Sequence, residues 1–254
     1  MAHCQSEGIV LRRFDYSESS QIVWIYTRDF GKQRLIAKGA KRMTKNALGA
    51  MDLLTHVDIV FLDREREGLR TLTEWDLLDS FDGLREDLDR LYLASYAVQL
   101  VSEFTEDGES NTRIFDVLLR ILTRLCEEGD HRKLICAFEL ALLRSVGFLP
   151  RLAQCAHCGG DLSGGGPRYF STREGGALCE ACGGADAEAG PVSRSALAAM
   201  ATLAHGGRLR VERLEMQPEV LTEMRRLLNA HVCALLGKEP KLMKHLNFEM
   251  RKTS

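Results

Sequence analysis

The sequence predicts an α+β protein: a small N-terminal β-barrel, then an α-helical domain with an inserted cysteine-rich module. Residues 1 to about 80 alternate apolar and polar side chains with the period of strands. From Gly83 onward, apolar residues recur at the three- and four-residue spacings of helices. A glycine-rich segment, residues 159–190, interrupts that helical pattern together with two pairs of cysteines.

Five short strand patterns account for the predicted barrel, and they cover residues 7–14, 20–27, 32–37, 55–63 and 69–77. In the second pattern Ile22, Trp24 and Tyr26 share one face, while Val23 and Ile25 share the other. Five strands with a longer connection after the third favour an OB-fold, and the pattern alone would also suit an SH3-like barrel.

Five helices are predicted to follow the barrel. The first begins near Leu84 and ends before Asp107-Gly108, and Ser110 or Asn111 can cap the second. The third ends at Gly147, and the last two cover residues 194–204 and 218–236. The glycine-rich runs 164–166 and 183–190 are expected to be loops. We therefore expect three parts: an OB-fold domain over 1–80, a helical domain over 81–152 and 191–254, and the module over 153–190.

Composition and length restrict the class of protein. The chain has 254 residues, of which 45% are hydrophobic and 28% charged, so a core can form without disulfides. Neither a secretory signal nor an apolar run of the ~20 residues needed to cross a bilayer is evident. We therefore expect a cytoplasmic protein, in a reducing compartment where clustered cysteines bind metal more often than they form disulfides.

The cysteine pairs have the spacing of a zinc site. Cys155-x2-Cys158 and Cys179-x2-Cys182 are separated by 20 residues, and each pair is followed by two glycines that allow a tight turn. Four thiolates satisfy the tetrahedral preference of Zn²⁺ and leave no open position for water, so we predict one structural zinc ion. His157 is interpreted as a bystander, and Cys126, Cys136 and Cys233 as core cysteines.

Other cysteine chemistries fit less well. A thioredoxin-like dithiol needs one such pair, and a zinc deaminase needs an H-x-E sequence and an open zinc position. No motif of a hydrolase, zincin or dinucleotide enzyme is present. The sequence therefore predicts a binding protein that is not an enzyme.

Charge is unevenly distributed although the formal net charge is only −2. Residues 28–45 contain seven basic side chains and one acid, whereas residues 63–90 contain ten acids and five arginines. A basic segment beside a small barrel can follow a phosphate backbone. The candidate contacts in this segment are Lys38, Lys41, Arg42 and Lys45.

Aromatic side chains of the barrel could stack on unpaired bases. The available rings are Phe14, Tyr16, Trp24, Tyr26 and Phe30. For Trp24 and Tyr26 we favour burial in the barrel core.

Several stretches of the chain resemble the RecO family of bacterial recombination mediators and DNA repair proteins. They are E-G-I-V-L-R at the start of the barrel, K-G-A-K-R after the third strand, the stretch Phe138–Pro150 (F-E-L…G-F-L-P), and the cysteine pairs that follow it. The resemblance extends over essentially the whole chain. The C-terminal stretch from Gly237 departs from the family's usual ending.

The resemblance implies an OB domain, a helical domain and a zinc-finger-like module. It also implies binding of single- and double-stranded DNA, annealing of complementary strands, and loading of the recombinase RecA onto gaps coated by single-stranded-DNA-binding protein. RecR and the acidic C-terminal tail of the single-stranded-DNA-binding protein would be partners. By position, Arg34, Lys38, Lys41 and Arg42 would contact DNA.

An alternative is a zinc-containing protein-interaction scaffold whose nucleic-acid binding is incidental. Basic side chains of the second and third helices could meet an acidic peptide tail; they are Arg120, Arg124, Arg132 and Lys133. Capture of a protein partner without retention of bare DNA would favour this alternative.

Overall fold

The computed structural model describes residues 2–18, 20–38, 51–63, 68–129, 131–162, 164–205 and 214–246. Its first five strands are β1 (His3–Asp15), β2 (Gln21–Thr27), β3 (Gly31–Ala37), β4 (His56–Leu62) and β5 (Arg70–Asp79). They close a barrel in the order β1-β2-β3-β5-β4, with β3 and β5 parallel. This order is that of an OB-fold and decides against the SH3-like alternative.

All five predicted strands are present, and β1 differs most from its predicted length. β1 starts at His3 rather than at Glu7, because its first half pairs with β4 from His3 opposite Leu62 to Ile9 opposite His56. Its second half pairs with β2. One long strand therefore serves two neighbours, which is how the five strands close into a barrel.

The two faces of β2 separate as the alternation predicts. Val23 and Ile25 are fully buried in the barrel core. Eight apolar residues of the other strands and of the segment before β4 are buried with them: Val10, Leu35, Ala37, Met51, Val57, Ile59, Phe61 and Leu72. Trp24 and Tyr26 lie on the opposite, outer face, so the expectation that they fill the barrel core is wrong. Tyr26 is buried elsewhere: its hydroxyl donates to the carbonyl of Asn111, 3.4 Å away, and burial raises its pKa to about 12.

Two helices complete the first compact unit, which spans residues 1–128. α1 covers Leu88–Phe104 and is capped by Asp87, and α2 covers Thr112–Leu125. Asn111, not Ser110, caps α2, because its side chain accepts from the backbone N–H groups of the first turn. α1 starts later than predicted, since residues 82–84 form a separate 3₁₀ turn.

The second compact unit spans residues 129–254. Its described elements are α3 (His131–Ser145), β6 (Tyr169–Ser171), β7 (Gly176–Leu178), α4 (Glu180–Ala185), β8 (Gly190–Pro191), α5 (Arg194–His205) and α6 (Pro218–Leu236). α3, α5 and α6 pack on one another, and a buried ion pair joins Glu139 of α3 to Arg225 of α6. Strands β7-β6-β8 form a small separate sheet.

The run 183–190, expected to be a loop, is partly helical. Gly183 lies in α4 under the ring of Tyr169, where a Cβ would stand 2.3 Å from Cδ2. A glycine is therefore needed for α4 to lie against β6. Among the described residues, no helix combines the length and apolar character needed to cross a membrane. The three-part domain division stays a prediction beside the two compact units.

Candidate metal centre and nucleic-acid interface

Four cysteine sulfurs converge within the second unit. The Sγ atoms of Cys155, Cys158, Cys179 and Cys182 all lie within 4.8 Å of one another, and those of Cys158 and Cys179 are 4.0 Å apart. Sulfurs at ~2.3 Å from a tetrahedral zinc ion would be about 3.8 Å apart. The cluster therefore matches a tetrahedral four-sulfur site and could hold a metal ion.

The first pair lies on a tight turn tied to a strand. The backbone N–H of Cys155 donates to the carbonyl of Gly160 at 2.8 Å, and that of Gly159 donates to the carbonyl of Cys155 at 2.9 Å. Gly159 adopts a φ of +72°, which glycine tolerates without strain. Ala156 donates to the carbonyl of Ala177 in β7, which brings this turn beside the second pair.

The second pair begins where β7 ends. Cys179 follows Leu178 directly and is the N-cap residue of α4, and Cys182 lies within that helix. The end of β7 and the first turn of α4 thus place the sulfurs of Cys179 and Cys182 beside the loop that carries the first pair.

Backbone donors make one sulfur of the cluster a better anion than a free thiol. Burial alone would raise the pKa of Cys155, but N–H groups of Cys158, Cys179 and His157 donate to its sulfur and lower the pKa to about 6. The pKa of Cys182 is raised to about 12, chiefly because its thiol hydrogen-bonds to Cys179. A thiolate is the form of cysteine that binds a metal cation, so Cys155 is the sulfur of the cluster best prepared to do so.

His157 lies outside the cluster of sulfurs. Its exposed ring has Nδ1 3.1 Å from a carboxylate oxygen of Glu174. Of the three cysteines expected in the core, Cys136 is buried and Cys126 and Cys233 are half-buried.

The candidate DNA contacts fall into two groups. Arg34 projects from the outer face of β3, where its side chain is 44% exposed, and Lys38 is exposed directly after that strand. Lys41, Arg42 and Lys45 lie outside the described residues. The structure therefore places two of the five predicted contacts, Arg34 in the middle of β3 and Lys38 directly after its C-terminal end.

Arg34 has two partners on the barrel. Its guanidinium carbon lies 4.6 Å from the centre of the Trp24 ring, and its Nε lies 2.7 Å from a carboxylate oxygen of Asp107. Arg12 of β1 approaches the same ring at 4.9 Å. Arg12, Trp24 and Arg34 are direct cross-strand neighbours and form a row across β1, β2 and β3.

Sequence reasoning missed Arg12 as part of this surface. A register shift between Val10 and Arg12 sets which β1 residue meets Trp24. No local signal marks that shift, although the abundance of arginine in this strand (Arg12-Arg13) was a hint.

Comparison with known protein families matches nearly the whole length. The family described as "Recombination protein O N terminal" matches residues 1–81, and the one described as "Recombination protein O C terminal" matches residues 85–244. The chain belongs to the RecO family of DNA repair proteins. The boundary between the two RecO matches falls between the end of β5 and the start of α1.

Curated relatives in the RecO family cover the chain almost end to end. The DNA repair protein RecO of Anaeromyxobacter dehalogenans strain 2CP-1 is 32% identical over 94% of this chain and 93% of its own length. The DNA repair protein RecO of Roseiflexus sp. is 33% identical over 96% of this chain and 84% of its own length. That of Halalkalibacterium halodurans is 30% identical over 96% of this chain and 94% of its own length.

Proposed function

We propose that this RecO-family chain is a recombination mediator that binds single- and double-stranded DNA through the outer face of its barrel. The observation that carries the proposal is the row Arg12–Trp24–Arg34 on β1–β3, continued by exposed Lys38. The next residues of the chain supply Lys41, Arg42 and Lys45. Cations on neighbouring strands of one face can contact successive phosphates and release their counterions.

The mediator activities follow from the family rather than from a feature of the fold. They are annealing of complementary strands and loading of RecA onto single strands coated by single-stranded-DNA-binding protein. RecR and the acidic tail of the single-stranded-DNA-binding protein are the proposed protein partners. DNA repair of this kind would place the chain in the cytoplasm beside the nucleoid.

We further propose that Cys155, Cys158, Cys179 and Cys182 hold one Zn²⁺ ion. The supporting observation is the all-sulfur donor set with near-tetrahedral spacing. Four protein ligands fill the coordination of zinc, so the ion would stabilise the fold of the module and take no part in a reaction. The residues 153–190 would then form the zinc-finger-like module of the family.

Fluorescence anisotropy of labelled single- and double-stranded oligonucleotides at several salt concentrations tests DNA binding. We expect affinity to fall steeply with salt, and the charge reversals Lys38→Glu and Lys41→Glu to flatten the salt slope by about one unit for each lost phosphate contact. Arg113→Glu is the matched control, because Arg113 is an exposed arginine on α2.

Two outcomes would count against this proposal. Unchanged affinity and slope in the Lys38 and Lys41 variants would show that DNA is bound elsewhere. Absence of binding to either oligonucleotide at low salt would favour the protein-interaction scaffold, and capture of the acidic tail peptide by the chain would then be the next measurement.

A further inference from the structure

The outer face of β1–β3 carries three cross-strand rows with different surroundings. The row Ile9–Tyr26–Lys32 is buried: the ammonium of Lys32 donates to the carbonyls of Ser102 at 2.9 Å and Thr105 at 2.5 Å, at the C-terminal end of α1. The end of α1 therefore covers this part of the face.

The other two rows are open to solvent to different degrees. Arg12 and Trp24 are half-buried and Arg34 is exposed; beyond them lies the row Phe14–Ile22–Ile36. Phe14 is 46% exposed, and its ring centre is 5.9 Å from that of Trp24. An exposed phenylalanine costs hydrophobic free energy and does not serve the barrel core, which lies on the other face of the sheet.

The two arginines are held by the ring between them. A guanidinium close to an aromatic ring is attracted to the ring's electron-rich face, and its planar form stacks well. Because β1 and β3 flank β2, Arg12 and Arg34 reach Trp24 from the two neighbouring strands. Trp24 thus restrains two cations beside the open ring of Phe14.

We propose that Phe14, Arg12 and Arg34, held around Trp24, form a stacking site for an unpaired base of a single strand. This inference rests on the proposed function and restricts the ligand of this site to single-stranded DNA, because both faces of a base within a duplex are already stacked. Exposed aromatic rings and guanidinium planes are the groups on which unpaired bases stack. The phosphate beside that base would be bound by Arg34.

Asp107 competes with the phosphate in this arrangement. Its carboxylate is 2.7 Å from Nε of Arg34 and 3.5 Å from the ammonium of Lys32. Arg12, by contrast, has no carboxylate partner among the residues that the structure describes. A phosphate therefore competes with Asp107 for the guanidinium of Arg34, and Asp107 lowers the affinity of the site for nucleic acid.

The first experiment compares three probes: an oligo-dT strand of about 16 nucleotides, an abasic strand of equal length, and a duplex. The chain has two tryptophans, so a Trp75→Phe background leaves Trp24 as the reporter. We expect oligo-dT to quench the Trp24 fluorescence and to bind on the order of tenfold more tightly than the abasic strand, which offers phosphates without bases.

Variants then separate stacking from charge. Phe14→Ala should remove the preference for oligo-dT over the abasic strand and leave duplex binding and the salt slope unchanged. Phe148→Ala is the matched control, because Phe148 is a similarly exposed phenylalanine in the second compact unit. Asp107→Asn keeps an acceptor for Arg34 and Lys32 without the negative charge, and should tighten binding of both single strands several-fold.

The possible outcomes distinguish failure of the stacking site from failure of DNA binding, the proposed function on which it rests. Equal binding of oligo-dT and the abasic strand, without quenching and with a steep salt slope, would overturn the stacking site and leave phosphate binding intact. An Asp107→Asn variant with unchanged or weaker affinity would overturn the exchange at Arg34. Failure of all three probes to bind at low salt would overturn DNA binding itself.

Discussion

The barrel and the cysteine-rich module are stabilised by different interactions. The barrel has a core of ten buried apolar residues contributed by several strands and by the approach to β4. The module has strands of only two or three residues, and its loops are ordered around a few polar centres. Small modules of this kind cannot bury enough apolar surface and depend on metals or cross-links for stability.

Arg168 is the second polar centre of the module, beside the four sulfurs. Its buried guanidinium donates to the carbonyls of Leu162, Gly164, Gly166 and Pro167, at distances of 2.6–3.0 Å. One planar donor group thus fixes the glycine-rich run that a hydrophobic core does not reach. The barrel therefore spreads its stability over many side chains, whereas removal of a single group should disrupt the module.

The largest effect is expected from Cys155→Ser or Cys179→Ser. Structural zinc contributes roughly 10–16 kcal/mol in small zinc modules, so loss of one ligand should release the metal and unfold residues 153–190 while the barrel stays folded. Metal content by atomic spectroscopy and amide hydrogen exchange would measure both effects. Cys233→Ser, outside the cluster, is the control. Full metal content with unchanged melting in the ligand variants would refute the four-sulfur site.

In the barrel, Ile25→Ala should destabilise without affecting the metal. Deletion of a fully buried isoleucine side chain costs about 2–5 kcal/mol, because it removes apolar contacts and leaves a cavity. Denaturant unfolding would record the loss, and metal content should remain that of the parent. Ile22→Ala, on the half-buried outer face, should cost clearly less. Loss of metal from the Ile25→Ala variant would show that the barrel and the module are not stabilised independently.

A smaller effect is expected from Arg168→Lys, which keeps the charge but not the planar fork. An ammonium has three donors and cannot serve four carbonyls in one plane, so we expect a loss of about 1–3 kcal/mol that is confined to the module. Faster hydrogen exchange in residues 162–171 would report it. The exposed Arg173 offers the control Arg173→Lys. Equal exchange in the two variants would show that Arg168 does not order the loop.

The smallest effect concerns pH. Burial lowers the pKa of His231, although its Nε2 donates to the carbonyl of Phe148 at 3.1 Å. The unfolded chain then binds a proton at higher pH than the folded one, so the stability of the second unit should fall as pH drops below about 6.5. His231→Gln should weaken this dependence in unfolding experiments between pH 7.5 and 5. If the parent and the His231→Gln variant lose stability equally as the pH falls, other titratable groups cause the pH dependence.

Local patterns in the sequence predicted much of the fold. The alternation in β2 and the helical spacing of α2 and α6 depend on residues close in the chain, and these elements formed as expected. The buried position of Trp24 was predicted wrongly, because alternation shows which residues share a face and not which face meets the core. Aromatic character favours burial in general, but here two arginines cover the ring.

The sequence by itself determined the class of fold, the resemblance to RecO and the four sulfurs, since each sulfur pair is set by a spacing of three residues. Only the tertiary structure placed Arg12 beside Trp24 and Asp107 beside Arg34. The first contact depends on the register shift in β1, and the second joins β3 to a residue more than seventy positions later. Such contacts are fixed by strand pairing and packing across the unit, which no local pattern encodes.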